Sequence, residues 1–190
     1  LLEPDGQLVL DFELAPASED DVAPLPLPRR PLAPQESDFT TALEWFERGC
    51  QLDSNPETLE KALHAYRSAL QADPRFADAH CNLGTVHYGR GERDRARDCY
   101  EEALKHDPQH VEANFNLGNL LEEAGQQDAA LHHYKIAIRA DPLFPDAQLN
   151  LALLYEKFEL RRKAKEHWRR YLQLVPEGSW AEIARQHLAE

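Results

Sequence analysis

Apolar positions recur along this chain at helical spacing, in pairs of short stretches that repeat every 34 residues over its last three units. In one unit Leu117, Leu120 and Leu121 form the face of a first stretch, and Ala130, Leu131, Tyr134, Ala137 and Ile138 that of a second, with a polar break at Gly125-Gln126. The same shift places Leu83-Gly84 over Leu117-Gly118 and Leu151-Ala152, and Ala96 over Ala130 and Ala164. It also places Tyr100 over Tyr134 and Trp168, and Ala103 over Ala137 and Tyr171. Pro74, Pro108, Pro142 and Pro176 fall at that interval too, the first three preceded by Asp. Proline cannot continue a helix and biases its predecessor away from helical angles, so each second helix is predicted to stop there. Two antiparallel helices per unit follow. Small residues at Gly84, Gly118 and Ala152, opposed by Ala96, Ala130 and Ala164, let the helices approach, with Tyr100, Tyr134 and Trp168 filling the space beside them. A unit with one apolar face cannot bury it alone, so the stack is the folding entity.

The period and the columns resemble the tetratricopeptide repeat family over roughly residues 38 to 190. The resemblance implies an all-α fold, a right-handed superhelical solenoid of antiparallel helix pairs, here preceded by an extended N-terminal segment. The expected division is 1–36 for that segment and 37–190 for the solenoid, with repeats at about 42–76, 77–110, 111–144 and 145–178 and a capping helix at 179–189. The first unit departs from the pattern. Trp45, Gly49 and Leu52 match its first-helix columns and Ala62, Tyr66 and Ala69 the second, but the gap between them is one residue longer, which predicts an enlarged turn at Asp53-Ser54-Asn55-Pro56. Arg48 stands where a buried leucine is usual, as suits a terminal repeat. At the other end Ser179-Trp180-Ala181-Glu182 has capping-box form, and Trp180, Ile183, Ala184, His187 and Leu188 make one apolar face for a sealing helix.

Composition narrows the setting. The chain has 190 residues, a net charge of −13 and three cysteines, and no apolar run approaches the eighteen or so residues of a membrane span. Its longest candidate, Leu149 to Tyr155, is a helix face. Cys50, Cys81 and Cys99 are odd in number and lie on helix columns, so reduced thiols and a cytoplasmic setting are expected. No secretory leader is legible at Leu1 to Leu10, and a chain that starts at Leu1 and lacks methionine is expected to be a piece of a longer protein. Five prolines between Pro24 and Pro34 favour an extended linker over an adaptor-domain ligand, and through residue 40 there are nine acids and two bases. Ahead of the linker, residues 7–13 have the composition of a single strand. Alone it is unstable in water, so it is expected to pair with an upstream portion, a groove of the repeats, or a second copy to give a homo-oligomer.

In a tetratricopeptide stack the first helices line the concave face, and Asn82, Asn116 and Asn150 recur there. A carboxamide matches a peptide unit in both donor and acceptor, and the column resembles the asparagine ladder of the O-linked N-acetylglucosamine transferases. Asp78, Glu112 and Asp146 repeat one turn earlier and give an acidic rim. Three asparagine contacts supply about 1.5 to 4.5 kcal/mol, whereas a micromolar complex needs roughly 8. Apolar pockets must add the rest. Phe115, Leu149 and Leu153 are the candidates, with Asn119 as another polar anchor, although Leu149 and Leu153 are equally suited to packing the stack. The expected partner is a protein or peptide segment, neutral to basic. The carboxylate clamp of chaperone-binding relatives is not expected, because Asp146 and Asn150 hold the corresponding columns.

Other constellations are bland. Arg161, Arg162, Lys163, Lys165, Arg169 and Arg170, and likewise Arg90, Arg93, Arg95 and Arg97, fit a solvated convex face better than a nucleic-acid patch. Among nine histidines none forms a helical ligand pair with a third partner: His80 and His87 fall in core columns, His132 and His133 point apart, and His106 and His110 straddle a proline. No metal site or cofactor is expected. No phosphate loop or serine elbow is present, and Cys81 or Cys99 lacks a base, so no enzyme is expected. A noncatalytic binding module is the leading reading. Two others stay open: residues 2–12 with the linker resemble the join in bacterial MerR-type regulators that carry such repeats, any nucleic-acid contact then lying in a domain outside this chain, and the repeats could be the targeting arm of a glycosyltransferase.

Overall fold

The computed structural model describes residues 36–189. The strand expected at 7–13, the proline-rich linker and the regulator-like stretch 2–12 lie outside the described residues. The chain divides into two units between Ala33 and Pro34, and the described helices all belong to the second.

Nine α-helices and one short 3-10 helix make up the described residues. They are α1 Glu36–Leu52, α2 Leu59–Ala72, α3 Ala77–Gly89, α4 Arg93–His106, α5 Val111–Glu123, α6 Gln127–Ala140, α7 Pro145–Lys157, α8 Arg161–Leu174 and α9 Ser179–Ala189. The 3-10 turn, Pro56–Thr58, occupies the longer connection of the first repeat, where Asn55 Oδ1 accepts the Glu57 N–H at 3.0 Å and the Thr58 hydroxyl donates to the Leu52 carbonyl at 2.5 Å. The helices pack as pairs, α1 on α2, α3 on α4, α5 on α6 and α7 on α8, each second helix also touching the next first helix, and α9 closes on α8. This is the all-α solenoid of helix pairs. None of the described helices is long and apolar enough to cross a membrane.

Local chemistry ends each helix. At the turn inside each of the last three repeats, one residue adopts a left-handed conformation: Gly91 at φ 77°, Gly125 at φ 75° and Glu159 at φ 59°. The next N–H then reaches back to a carbonyl of the last turn, Glu92 to His87 at 3.0 Å, Gln126 to Leu121 at 2.8 Å and Leu160 to Tyr155 at 2.9 Å. At the ends of the second helices Asp73, Asp107 and Asp141 each accept through Oδ1 the N–H two residues on, at 2.9, 3.0 and 2.8 Å, so the carboxylate closes the turn that the following proline begins.

The aromatic column forms the centre of each pair. Tyr66, Tyr100, Tyr134 and Trp168 are fully buried. Tyr100 and Tyr134 lie against Gly84 and Gly118, where a Cβ would stand 2.7 and 2.6 Å from the ring, so only glycine admits this approach. Polar columns are satisfied inside the stack as well. His80, Asn114 and Gln148 hold the carbonyls of Pro74, Pro108 and Pro142 at 3.0, 3.1 and 3.3 Å. His133 and His167 in turn reach Asn114 and Gln148 at 3.0 and 2.8 Å. Burial holds the pKa of both histidines below the usual range.

Two expectations about the sealing helix are corrected. Ser179 lies within α9, while the preceding Gly178 carbonyl accepts the N–H groups of Ala181 and Glu182 at 3.0 and 3.2 Å, so no capping box forms around Ser179. Trp180 is exposed; Ala181 and Ala184 are buried, and His187 stacks on Trp168 with ring centroids 5.3 Å apart. Ile183, Ala184 and Leu188 pack on the core as the sequence face predicts, and the departure is at Trp180, whose neighbour Ala181 is buried instead. His80 is also only half buried, whereas His87 is buried and bonded to Glu92 at 2.6 Å.

Candidate functional site

The asparagine column is placed on successive first helices, but its amides are partly engaged by the stack. Asn82 Nδ2 donates to the Tyr66 hydroxyl at 3.3 Å and approaches Cys50 Sγ at 3.5 Å. Asn116 Nδ2 donates to Thr85 Oγ1 at 3.3 Å. Asn150 Nδ2 donates to Asn119 Oδ1 at 2.8 Å and to the Tyr134 hydroxyl at 3.3 Å. Each asparagine therefore stitches its repeat to the one before.

The acidic rim is divided. His110, buried at the start of α5, lies between Asp78 (Nε2 to Oδ1, 3.2 Å) and Glu112 (Nδ1 to Oε2, 3.4 Å), and its Nδ1 also accepts the Ala113 N–H at 3.3 Å. Asp146 is exposed. Of the apolar candidates, Leu149 is buried in the core and Leu153 packs against it. Phe115 is held between Tyr134 and Phe144, with centroids 5.9 and 5.0 Å away. These three side chains pack the stack.

What the residue pattern missed is a column of acids that meets the aromatic tips. Asp53 Oδ2 accepts the Tyr66 hydroxyl at 2.5 Å, and Glu156 Oε1 accepts Trp168 Nε1 at 2.7 Å. The Tyr134 hydroxyl lies 2.7 Å from Asn119 Oδ1 and 3.0 Å from Glu122 Oε2, so its proton is shared between a neutral and an anionic acceptor. Burial, with Glu122 beside it, raises the pKa of Tyr134 far above the ordinary phenol range and keeps it a donor. A buried Tyr or Trp needs a partner for its polar tip, and Glu122 over Glu156 at the repeat interval was the available signal.

Around these groups α3, α5, α6 and α7 enclose an open depression of about 470 Å³ lined by Tyr88, Asn119, Glu122, Glu123, Tyr134, Asn150 and Lys157. Lys157 pairs with Glu122, the Tyr88 hydroxyl donates to Glu123, and Arg93 Nε donates to Glu123 Oε2 at 3.0 Å. Groups from three successive repeats thus converge with carbonyl, carboxylate, hydroxyl and ammonium functions at one opening. Burial pushes the Cys81 thiol up to about 12 and the Cys99 thiol up to about 11, so neither is ionised at neutral pH.

A stack of antiparallel helix pairs whose first-helix side carries polar groups from successive repeats defines a helical-repeat interaction module. The chain belongs to the tetratricopeptide repeat family: sequence profiles described as Tetratricopeptide repeat and TPR repeat match residues 81–134 and 119–165, and 57–91, respectively. Its repeats indicate a protein partner. No curated protein matches the chain. Among solved structures it is similar to MamA, with 21% identity and a TM-score of 0.62, covering 78% of this chain and 83% of that one. It is also similar to Pseudomonas aeruginosa pilF, with 24% identity and a TM-score of 0.68, covering 80% of this chain and 68% of that one. A tetratricopeptide repeat protein from Parabacteroides merdae shows 20% identity and a TM-score of 0.64, covering 78% of this chain and 59% of that one. At these identities the likeness is one of fold.

Proposed function

We propose that the chain is a noncatalytic docking module that holds a neutral-to-basic peptide segment along the first-helix side of α5 and α7. The observation that carries this reading is the opening at Asn119, Glu122, Tyr134 and Asn150, where polar groups from two successive repeats face one space. Asn150 directs both amide protons inward, so its carbonyl is the group left to meet a peptide N–H. Contacts of that kind supply about 1 kcal/mol each. A basic side chain of the segment gains more by competing with Lys157 for Glu122, or by reaching the exposed Asp146.

A random peptide library selected on the whole chain tests this. The selected peptides are expected to be enriched in Lys and Arg, and to bind an Asp146→Lys, Glu122→Gln variant about tenfold more weakly, with its helical circular-dichroism spectrum unchanged. Acidic peptides, or equal binding to the variant, would rule the reading out.

A further inference from the structure

The second-helix side of the last repeat carries a charge anomaly that the docking reading does not use. In α2, α4 and α6 the first turn holds an acid, Glu60, Asp94 and Asp128, as the positive end of a helix favours. In α8 that turn holds none, and Arg162 stands in the column of Asp94 and Asp128. The helix carries six bases against the single acid Glu166, in a chain whose net charge is −13.

These bases are little neutralised. Around α4, by contrast, Arg90 pairs with Glu60 and Glu92, Arg93 with Glu123 at 3.0 Å, Arg95 with Glu92 at 3.1 Å and Lys105 with Glu102 at 2.5 Å. On α8 the ion pair seen is Arg162 with Glu166 at 3.9 Å. Arg162, Lys163, Arg169 and Arg170 are exposed. Lys163 from α8 and Lys135 from α6 also converge on one ring, their Nζ atoms 5.4 and 5.7 Å from the centroid of Tyr155. Both ammonium groups thus lie near one ring, on which His167 also stacks at 5.4 Å, and add two positive charges beside the bases of α8.

We infer that the outer surface of α6 and α8 is a second docking surface, and that its occupant is an acidic protein segment. Charge complementarity selects an anion. The surface is about 20 Å long, one helix of fourteen residues, which suits a short extended segment. A nucleic acid fits less well, because the ring at the site, Tyr155, is buried and offers no base a stacking platform. With a basic segment on the first-helix side and an acidic one here, the repeat unit would join two partners of opposite charge.

Fluorescence anisotropy on the whole chain tests the inference, with a labelled glutamate-rich peptide of about twelve residues and a single-stranded oligonucleotide of similar length as probes. The peptide is expected to bind, to weaken as salt rises, and to lose at least about tenfold in affinity to an Arg162→Glu, Arg169→Glu, Arg170→Glu variant. A Lys135→Gln, Lys163→Gln variant should lose affinity too, and Asp146→Lys should not. These side chains are exposed, so an unchanged melting temperature shows that the variants fold. No peptide binding, binding unchanged by both basic-face variants, or tighter binding of the oligonucleotide overturns the inference, the last assigning the surface to nucleic acid. Because Asp146→Lys disables only the first-helix side, failure of one surface is distinguishable from failure of the other.

Discussion

Glu159 occupies a backbone conformation that its two counterparts fill with glycine. Its φ of 59° matches Gly91 and Gly125, and its side chain is exposed. A residue with a Cβ is strained in the left-handed region by about 1 kcal/mol, while glycine adds some freedom to the unfolded chain. The strain is the larger effect at an exposed turn whose geometry is fixed by the Leu160 to Tyr155 hydrogen bond. Glu159→Gly is therefore expected to stabilise the chain by roughly 0.5 to 1 kcal/mol, read as a higher urea midpoint with an unchanged slope. A lower midpoint would show that the Glu159 carboxylate makes a compensating contact.

Within the last two helix pairs, buried polar side chains link one element to the other, and these links are sensitive to pH. His133 on α6 and His167 on α8 reach Asn114 on α5 and Gln148 on α7, and burial lowers the pKa of both rings. Their unfolded value is near 6.5. The neutral rings thus contribute stability that is complete above that pH and is lost as pH falls through the lower folded values, because the unfolded chain takes up protons first. Urea midpoints should fall between about pH 7 and pH 5, and a His133→Gln, His167→Gln variant should show a smaller fall. An equal fall in both proteins would place the acid sensitivity elsewhere.

Across the repeat unit, stability passes between neighbours, so the last helix protects what it touches. Ala181 and Ala184 of α9 are buried, and His187 both stacks on Trp168 and bonds Glu156 at 2.8 Å. Ending the chain after Gly178 is expected to lower the melting temperature by about 2 to 8 °C; because it also removes the exposed Trp180, the entry of water at Trp168 is read as a red shift in tryptophan emission relative to a full-length Trp180→Phe chain. Amide exchange in α3 and α4 should change little, since a solenoid couples mainly adjacent repeats. Uniform loss of protection would show a single cooperative unit instead.

The period, the helix pairing and the places where helices stop were legible in the residues alone, because each rests on chemistry within one turn or between the two adjacent helices of one repeat. Asp107 closes its own turn, Pro108 ends its own helix, and Gly118 admits the tyrosine sixteen residues on. The fate of surface columns was decided only by stacking. Asn150 looked free to grip a ligand until the third and fourth repeats brought Asn119 and Tyr134 within 2.8 and 3.3 Å of its amide. Trp180 outranked Ala181 by hydrophobicity, yet in the docked helix Ala181 is buried and Trp180 is exposed. Both outcomes depend on how neighbouring helices settle against one another, a lateral relation set by close packing and not by any local run of residues.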